Sequence, residues 1–575
     1  MKFLCGLFVI CVLAVPTLAL DREAFTFTNY DLNVRVEPDQ QRLGVRGKIT
    51  LRNDSATSQK NIALQISSTL DWSSMQTGGK DVQFVTHEYT SDIDHTGALS
   101  EAIVSLPREV PPKGTIELDV GYEGVILLDV TRLTRIGVPE DKARHTDWDQ
   151  ISKSFTAVRG IGYVAWYPVA MESANLSEGS GVFETLGRWK EREAEAKLKI
   201  KLIDSGESSS AVPKLFCNGK RGGQTYEQVG RSYLVETECS ADPLGPIVPL
   251  FVIGGYDTVE RPRLNISFLS GHKPGAENYA LAADLAVPLV SDWFGAASQK
   301  AETVELADSE AAPFESGSMV LTPLCSTDST LYQLTAVHQL THAALYSQRL
   351  WIYEGLAHFA QALEREQQDG RQAALDFMGR HRPAIADAEK ALVAAHTQNV
   401  AANESLINTR TEEFYRIKAM YVWWMLRDMV GDVVLKKALA AYHSSEDKEA
   451  AYLQHLIGAQ THRDLEWFFD DWVYRDRGLP DLRVESAYPR AKVDGGYIVT
   501  IAIENLGEAG AEVPVTLRME GGEVTRRLEV HAKSKAALRI EAASAPQEVI
   551  VNDGSVPESD LSNNVFKVPP PDVVK

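Results

Sequence analysis

Two histidines spaced four residues apart, with a glutamate shortly after them, most constrain how this chain can fold. They are His338 and His342, in Val-His-Gln-Leu-Thr-His, and Glu354, in Trp-Ile-Tyr-Glu-Gly-Leu-Ala. Residues four apart on an α-helix share one face, so both imidazoles can reach one metal ion. A Glu from a following helix completes a set of two His and one Glu around an open fourth position, as in catalytic zinc sites. The spacing therefore predicts two helices packed around one zinc ion.

Other interpretations of these residues stay open. Two histidines on a buried helix are also found as ordinary core residues, and Glu354 could cap a helix or pair with an arginine. The metal interpretation is favoured because the carboxylate lies in an apolar segment, where a buried charge needs a partner. His358 lies one turn after Glu354 on the same face. It is predicted to orient a ligand by a hydrogen bond, with an exposed helix residue as the equal alternative.

The residue after the first histidine departs from the expected pattern. Zinc peptidases have His-Glu-x-x-His, in which the Glu is the general base, whereas Gln339 stands at that position here. An amide cannot accept a proton near neutral pH. The chain can therefore keep its zinc ligands and still lack the general base. Because Gln and Glu have similar volumes, the substitution Gln339→Glu is expected to increase peptide cleavage if the remaining machinery is intact.

Two further segments are candidates for the same site. Tyr415 begins a strongly apolar helical segment, and a phenol near zinc can stabilise the oxyanion of a tetrahedral intermediate; a plain core tyrosine is the alternative. The run Glu315-Ser-Gly-Ser-Met precedes a predicted strand. It is interpreted as a cleft edge formed with Gly317, Ser318 and Met319, with a simple turn as the alternative.

Composition and charge narrow the class of protein. The chain has 575 residues, of which 44% are hydrophobic and 24% charged, which is typical of a globular protein with three or four domains. Its formal net charge of −21 argues against nucleic acid or an anionic membrane as a general partner. We expect a peptide or protein ligand.

The first residues indicate export. Residues 1–19 combine a lysine, a short apolar run and a small residue at Ala19, which predicts a signal peptide. No later apolar run is long enough to span a membrane, so a periplasmic or extracellular location is expected. Cys217 and Cys239 flank a predicted hairpin and favour a disulfide in an oxidising compartment, with two buried thiols as the alternative. Cys325 is expected to be buried and inert.

Periodicity divides the chain into parts. Residues 20–262 alternate apolar and polar positions, which predicts an antiparallel β-domain. Residues 263–480 change period: a strand is predicted at 264–269, a helix at 276–294, and mostly helices after 357. Residues 481–568 return to short strands and predict a β-sandwich, and 569–575 a disordered tail. The expected fold is therefore multidomain α+β.

These motifs together resemble the aminopeptidase N family of zinc gluzincins, including its leukotriene hydrolase branch. The similarity covers the opening β-segment from Thr28, the His-x-x-x-His helix, the segment around Glu354 and the helix at 465–474. It implies a β-saddle domain packed on a thermolysin-like catalytic domain, with His338, His342 and Glu354 as zinc ligands. The C-terminal part resembles a bacterial immunoglobulin-like domain.

The departures from that family bear on activity. Gln339 replaces the catalytic Glu, and Val320 replaces the acid that holds a substrate's free amine. The gap between His342 and Glu354 is short, and Tyr415 matches the catalytic Tyr only approximately. We therefore expect an exported, zinc-binding homologue with little or no peptidase activity that binds peptides or proteins. The alternative is an active secreted zinc metallopeptidase with an unconventional base.

Overall fold

The computed structural model describes residues 20–178, 181–207, 212–245, 247–296, 300–325, 329–397 and 404–569. The protein is a mixed α+β, multidomain structure with several sheets. The predicted signal peptide at 1–19 lies outside the described residues, as does the predicted tail beyond residue 569. Within the described ranges, no helix combines the length and apolar character needed to cross a membrane.

Over its described residues, the N-terminal part is built mainly of strands, with three α-helices and two short 3₁₀ helices. The strands are β1 (Phe25–Glu37), β2 (Arg42–Asn53), β3 (Gln59–Ser67), β4 (Leu70–Thr77), β5 (Lys80–Asp81), β6 (Gln83–Thr90), β7 (Ala98–Val110), β8 (Thr115–Val125), β9 (Phe155–Arg159), β10 (Lys197–Glu207), β11 (Lys214–Cys217), β12 (Lys220–Arg221), β13 (Thr225–Val229), β14 (Ser232–Ala241) and β15 (Leu250–Gly254). The helices are α1 (Thr131–Arg135), α2 (Glu140–Thr146) and α3 (Gly181–Arg192).

Alternation along β1 explains the largest sheet. Leu32, Val34 and Val36 are buried, whereas the residues between them face solvent, so one face of the strand covers a core. The sheet runs β12-β14-β10-β1-β2-β8-β4-β5, with β13 also paired to β14. Two smaller sheets, β3-β7-β6 and β11-β15-β9, accompany it. The N-terminal part is therefore rich in strands, whereas the predicted domain bounds and the saddle shape stay predictions.

A disulfide joins two of these sheets. Cys217 and Cys239 are bonded, with their Cα atoms 6.0 Å apart, which confirms the predicted pairing. The predicted hairpin between them is present as β13–β14, in which Val229 pairs with Ser232. Because β11 pairs with β15 and β14 pairs with β10, the bond links separate sheets. The expectation for Cys325 is wrong: it is exposed, and its thiol donates to the carbonyl of Ser309 at 3.5 Å.

The middle of the chain forms a five-stranded sheet covered by helices. The strand order is β16-β17-β18-β20-β19. The strands are β16 (Tyr256–Glu260), β17 (Leu264–Leu269), β18 (Ala301–Glu305), β19 (Phe314–Ser316) and β20 (Met319–Thr322). The helices are α4 (Lys273–Phe294), α5 (Ser329–Ala344), α6 (Leu350–Asp369), α7 (Arg371–Gly379), α8 (Arg382–Thr397), α9 (Ala419–Val430), α10 (Asp432–Ala440), α11 (Tyr452–Gly458) and α12 (Glu466–Phe469), with π-helical segments at Glu413–Lys418 and Asp470–Tyr474.

Helix α6 is held closely against the start of α9. Gly355 makes this approach possible, because a Cβ there would lie 2.6 Å from the Cβ of Ala419. Trp351 and Trp423 stack with ring centroids 5.3 Å apart across the same interface. The contact sets the position of Glu354, which precedes the glycine.

The C-terminal part consists of two antiparallel sheets, β21-β22-β25 and β24-β23-β26-β27. Buried residues of both sheets, such as Ile501 and Leu517, belong to one core that continues into the helices. An immunoglobulin-like topology stays a prediction. The strands are β21 (Leu482–Ala491), β22 (Tyr497–Asn505), β23 (Ala511–Met519), β24 (Gly522–Val530), β25 (Lys535–Ala542), β26 (Pro546–Val551) and β27 (Val565–Lys567).

Candidate metal centre

Helix α5 presents both histidines on one face. The Nε2 atoms of His338 and His342 lie 3.0 Å apart, and their rings meet edge to face. Both side chains are nearly buried, at 7% and 5% exposure. The four-residue spacing on a helix accounts for this geometry. Two ring nitrogens directed at one point away from solvent are suited to sharing a cation.

Glu354 reaches the same point from α6. One of its carboxylate oxygens lies 3.7 Å from Nε2 of His338, and the other lies 3.7 Å from Nε2 of His342. Its side chain is only 15% exposed. The three residues named from the sequence as metal ligands are therefore brought together. Arg416 also contacts Glu354, with 3.2 Å between the guanidinium Nε and the carboxylate.

The donor set and its spacing fit zinc. Bonds of 2.0–2.2 Å at tetrahedral angles place ligand atoms about 3.4 Å apart. The separations of 3.0 and 3.7 Å among His338, His342 and Glu354 lie on either side of that value. Oε2 of Glu354 is buried and faces Nε of Arg416 at 3.2 Å, without the geometry of a hydrogen bond. A cation between the three side chains would satisfy these inward-facing atoms.

Electrostatics also favour a positive charge at this point. Burial lowers the pKa of His338, but the carboxylates of Glu315 and Glu354 outweigh it, so the net pKa is raised. Burial and the neighbouring His338 lower the pKa of His342 to about 3. His342 is therefore neutral at physiological pH, which is the state required of a metal ligand.

Gln339 is directed into the sheet, where its carboxamide is fully hydrogen-bonded. The hydroxyls of Tyr279 and Thr303 donate to its Oε1 at 2.9 and 3.0 Å. Its Nε2 donates to the carbonyls of Glu302 and Ser318 at 2.8 and 3.1 Å. A primary amide offers two donors and two acceptor sites, so its capacity is used completely. The backbone carbonyls can only accept, which determines the orientation of the amide.

This network changes the expectation for Gln339→Glu. A carboxylate at the same place would face two carbonyl oxygens that now accept hydrogen bonds. Like partial charges at that distance disfavour the ionised form, so the carboxyl would be held protonated or displaced. A protonated carboxyl is no general base. The side chain at 339 therefore serves to attach α5 to the sheet.

Tyr415 lies in the π-helical segment Glu413–Lys418. Its hydroxyl donates to Glu412 at 3.3 Å. Burial raises the pKa of its phenol, as do Glu412 and Glu354, against a lowering effect of Arg416. Tyr415 is thus within electrostatic reach of Glu354, while its hydroxyl is engaged by its own segment. The adjacent Arg416, which sequence reasoning did not single out, makes the direct contact with Glu354.

His358 packs directly on the histidine pair. Its ring centroid lies 4.9 Å from that of His338, and the ring planes are nearly perpendicular. Ligand atoms of His338, Glu354 and His358 all lie within 4.8 Å of one another. Burial, followed by His338 and Arg416, lowers the pKa of His358 well below its ordinary value. The imidazole is therefore neutral and close enough to orient a ligand.

A cavity of about 640 Å³ opens beside the histidines. Gly317, Ser318 and Met319, the predicted cleft residues, line it together with His342 and Tyr353. Residues 217–221 and 240–243 of the N-terminal part also line it. The ring of Tyr353 stacks on that of His342, with centroids 3.9 Å apart. The cavity is large enough for a short peptide segment, because ligand pockets are typically about 300–1,000 Å³.

Sequence reasoning placed Glu315 at a cleft edge and not among the ligands. The structure brings its Oε2 to 3.0 Å from Nε2 of His338. Val320, on the neighbouring strand, is the register partner of Glu315 and is buried. Cross-strand partners point to the same face of a sheet, so one acid is present on this face although position 320 is apolar. Strand pairing, which the local pattern does not reveal, was needed to find it.

Comparison with known proteins gives matches among solved structures. No protein-family model and no curated protein matches the chain. A solved structure of an M1 zinc metallopeptidase from Deinococcus radiodurans is similar at 17% identity, covering 80% of this chain and 96% of that chain with a TM-score of 0.46. A point mutant of that protein is similar at 16% identity, with the same coverage and TM-score.

Proposed function

We propose that this protein holds one zinc ion between His338, His342 and Glu354 and binds a peptide or protein segment with little or no hydrolysis. Two observations support the proposal: the metal-binding side chains converge on one point, and the Gln339 amide is fully hydrogen-bonded elsewhere. The ring nitrogens converge at 3.0 Å, whereas every polar atom of the Gln339 side chain is bonded into the sheet.

The chemistry follows from this division. A bound zinc ion supplies a Lewis acid that polarises a carbonyl. Hydrolysis further requires a group that takes a proton from water and delivers it to the leaving amine, and such help is worth ~10²–10⁴-fold in rate. Gln339 cannot provide it. The protein is therefore expected to bind a peptide that it hydrolyses only slowly, and the cavity beside His342 is large enough for a peptide segment.

Export is part of the proposal. The Cys217–Cys239 disulfide favours an oxidising compartment, where such bonds persist. Together with the predicted signal peptide, it supports a periplasmic or extracellular protein. The peptide ligand and the immunoglobulin-like assignment of the C-terminal sheets belong to the same proposal.

A second candidate function is that of an active zinc peptidase with another base. The specific observation in its favour is the Glu315 carboxylate, 3.0 Å from Nε2 of His338. The neutral imidazole of His358 is a further candidate, because its ring centroid lies 4.9 Å from that of His338. Either group can accept a proton. A measurement of peptide hydrolysis therefore decides between a peptide-binding protein and an active peptidase.

The test measures metal content and turnover separately. Zinc stoichiometry is determined by mass spectrometry of the full chain and of His338→Ala/His342→Ala, and both are incubated with a broad peptide library. We expect one zinc in the wild type, none in the double variant, and turnover near background in both. Ordinary rates of cleavage that a chelator stops would favour the active peptidase. Absence of zinc from the wild type would overturn both functions.

A further inference from the structure

The hairpin β19–β20 delivers Glu315 to the histidine pair. Its turn depends on Gly317, which has φ of 62°, a left-handed conformation that favours glycine. Glu315 lies one residue before the end of β19, and its Oε2 is at 3.0 Å from Nε2 of His338. Ligand atoms of Glu315, His338 and His342 all lie within 4.8 Å of one another. The carboxylate thus approaches His338 from the sheet side, whereas Glu354 approaches the histidine pair from α6.

The hairpin is fixed at both ends of its turn. The hydroxyl of Ser316 donates to the carbonyl of Val248 at 3.0 Å and accepts from the Val248 amide at 2.9 Å. Asn218 also donates to that hydroxyl at 2.8 Å. On the other side, the carbonyl of Ser318 accepts from Gln339. Because both flanks are anchored, Glu315 is held in place and does not depend on a mobile loop.

Three roles for such a carboxylate can be compared. A simple ion pair would need only the contact between Oε2 of Glu315 and a protonated His338. Among the described residues, however, Oε1 of Glu315 is also buried, and it lacks a hydrogen bond. A general base would stand behind a solvent molecule, farther from the ring nitrogens than a ligand. The 3.0 Å spacing to His338 equals the spacing between the two imidazole nitrogens. Glu315 therefore lies as close to His338 as the second imidazole does.

We propose that Glu315 is a fourth protein ligand, so that His338, His342, Glu354 and Glu315 enclose the zinc without an open position. This inference rests on the proposed zinc site. Structural zinc sites are four-coordinate and closed, whereas catalytic ones keep a position for solvent or substrate. The ion would then join α5, α6 and the β19–β20 hairpin. A peptide in the adjacent cavity would bind beside the centre without contacting the metal.

The first experiment compares zinc affinity in two glutamate variants. Glu315→Gln removes the proposed ligand, whereas Glu412→Gln removes a charge that contacts Arg416 without removing a ligand. Dissociation constants are measured by competition with a chromogenic chelator. We expect Glu315→Gln to weaken zinc binding by at least the roughly 10–100-fold that follows loss of a group behind a ligand. Affinities equal to that of Glu412→Gln would overturn the inference and leave the zinc site standing.

A second measurement tests whether the metal site has an open coordination position. Cobalt(II) replaces zinc in the wild type, and its visible spectrum is recorded before and after addition of azide, a small anion that takes an open coordination position. A closed site predicts an intense four-coordinate spectrum that azide leaves unchanged, and a response to azide in Glu315→Gln. A response in the wild type would show an open position and overturn the inference. A wild type that binds neither metal would overturn the proposed function as well.

Discussion

Gln339 and Ser318 are joined by a hydrogen bond of 3.1 Å, in which the glutamine amide donates to the carbonyl of the β19–β20 turn. The residue at the position of the peptidase base thereby supports the hairpin that carries Glu315. A side chain used in this way contributes to the architecture of the site through its donors, which a glutamate lacks when ionised.

Replacement of Gln339 by Glu is predicted to destabilise the protein without creating a peptidase. The carboxylate cannot donate to Glu302 and Ser318, and leaving buried carbonyls unpaired costs about 1–3 kcal/mol. Urea unfolding at neutral pH and peptide hydrolysis with zinc present measure both effects. Gln361→Glu is the control, because Gln361 donates to the carbonyl of Leu334 from a half-buried position. A stable Gln339→Glu protein that cleaves peptides rapidly would contradict the prediction.

Removal of zinc is predicted to lower the thermal stability. An ion bound only by the folded state stabilises it by about 2.7 kcal/mol when its concentration is 100-fold above the dissociation constant. The melting temperature, measured by calorimetry, should therefore fall when a chelator is added, and His342→Ala should abolish the difference. His531→Ala, at an exposed position of the C-terminal sheets, should retain it. Identical melting with zinc and with chelator would exclude the ion from the folded protein.

Lys418 is predicted to be essential for stability. It is fully buried, and its ammonium pairs with Glu389 at 2.5 Å and with Asp476. Removing one partner of a buried ion pair leaves uncompensated charge and costs about 3–5 kcal/mol. Urea unfolding of Lys418→Met should show this loss, whereas Lys436→Met, which breaks a more exposed pair with Asp292, should cost about 0–1 kcal/mol.

A further variant separates the two possible causes of the Lys418→Met loss, which are unpaired charge and lost packing. Adding Glu389→Gln and Asp476→Asn to Lys418→Met removes the unpaired carboxylates, so part of the lost stability should return. An equally unstable triple variant would assign the loss to packing around the lysine stem and not to its charge.

The stability of the protein is predicted to fall as the pH rises toward 8. Burial raises the pKa of Glu193 to about 8 from the ordinary 4.5, against the lowering effects of the Phe27 backbone amide and of Arg192 and Arg52. Between these values the folded state binds more protons than the unfolded state, so the free energy of unfolding decreases by on the order of 1 kcal/mol per pH unit. Glu193→Gln should reduce this slope in urea titrations, and the remainder comes from Asp204 and Glu558, whose pKa values burial raises to about 6 and about 7.

The matched control for that titration is Glu88→Gln, at an exposed position of β6. It should leave the pH dependence of the wild type unchanged. The two glutamine variants should differ most at pH 8, where Glu193 of the wild type begins to ionise. At pH 5, Glu193→Gln and the wild type should have similar stability, and a difference there equal to that at pH 8 would contradict the assigned pKa.

Several elements of the fold were predictable because local periodicity and turn chemistry determine them. The strand predicted at 264–269 is β17, and the helix predicted at 276–294 lies within α4. Gly370 and Gly431 follow the ends of α6 and α9 with φ of 85° and 84°, a backbone conformation that favours glycine. These features depend on residues within a few positions of one another, so the pattern suffices.

The sequence by itself determined that His338 and His342 share a helix face and that Glu354 follows on the next helix. It also determined that Gln339 cannot act as a general base. Only the tertiary structure decided where the Gln339 amide points, because that depends on which strand edge lies beside α5. It likewise decided that Glu315 joins the histidines and that Cys217 and Cys239 connect two sheets. Contacts between residues far apart in sequence are set by strand register and helix packing, which local patterns do not encode.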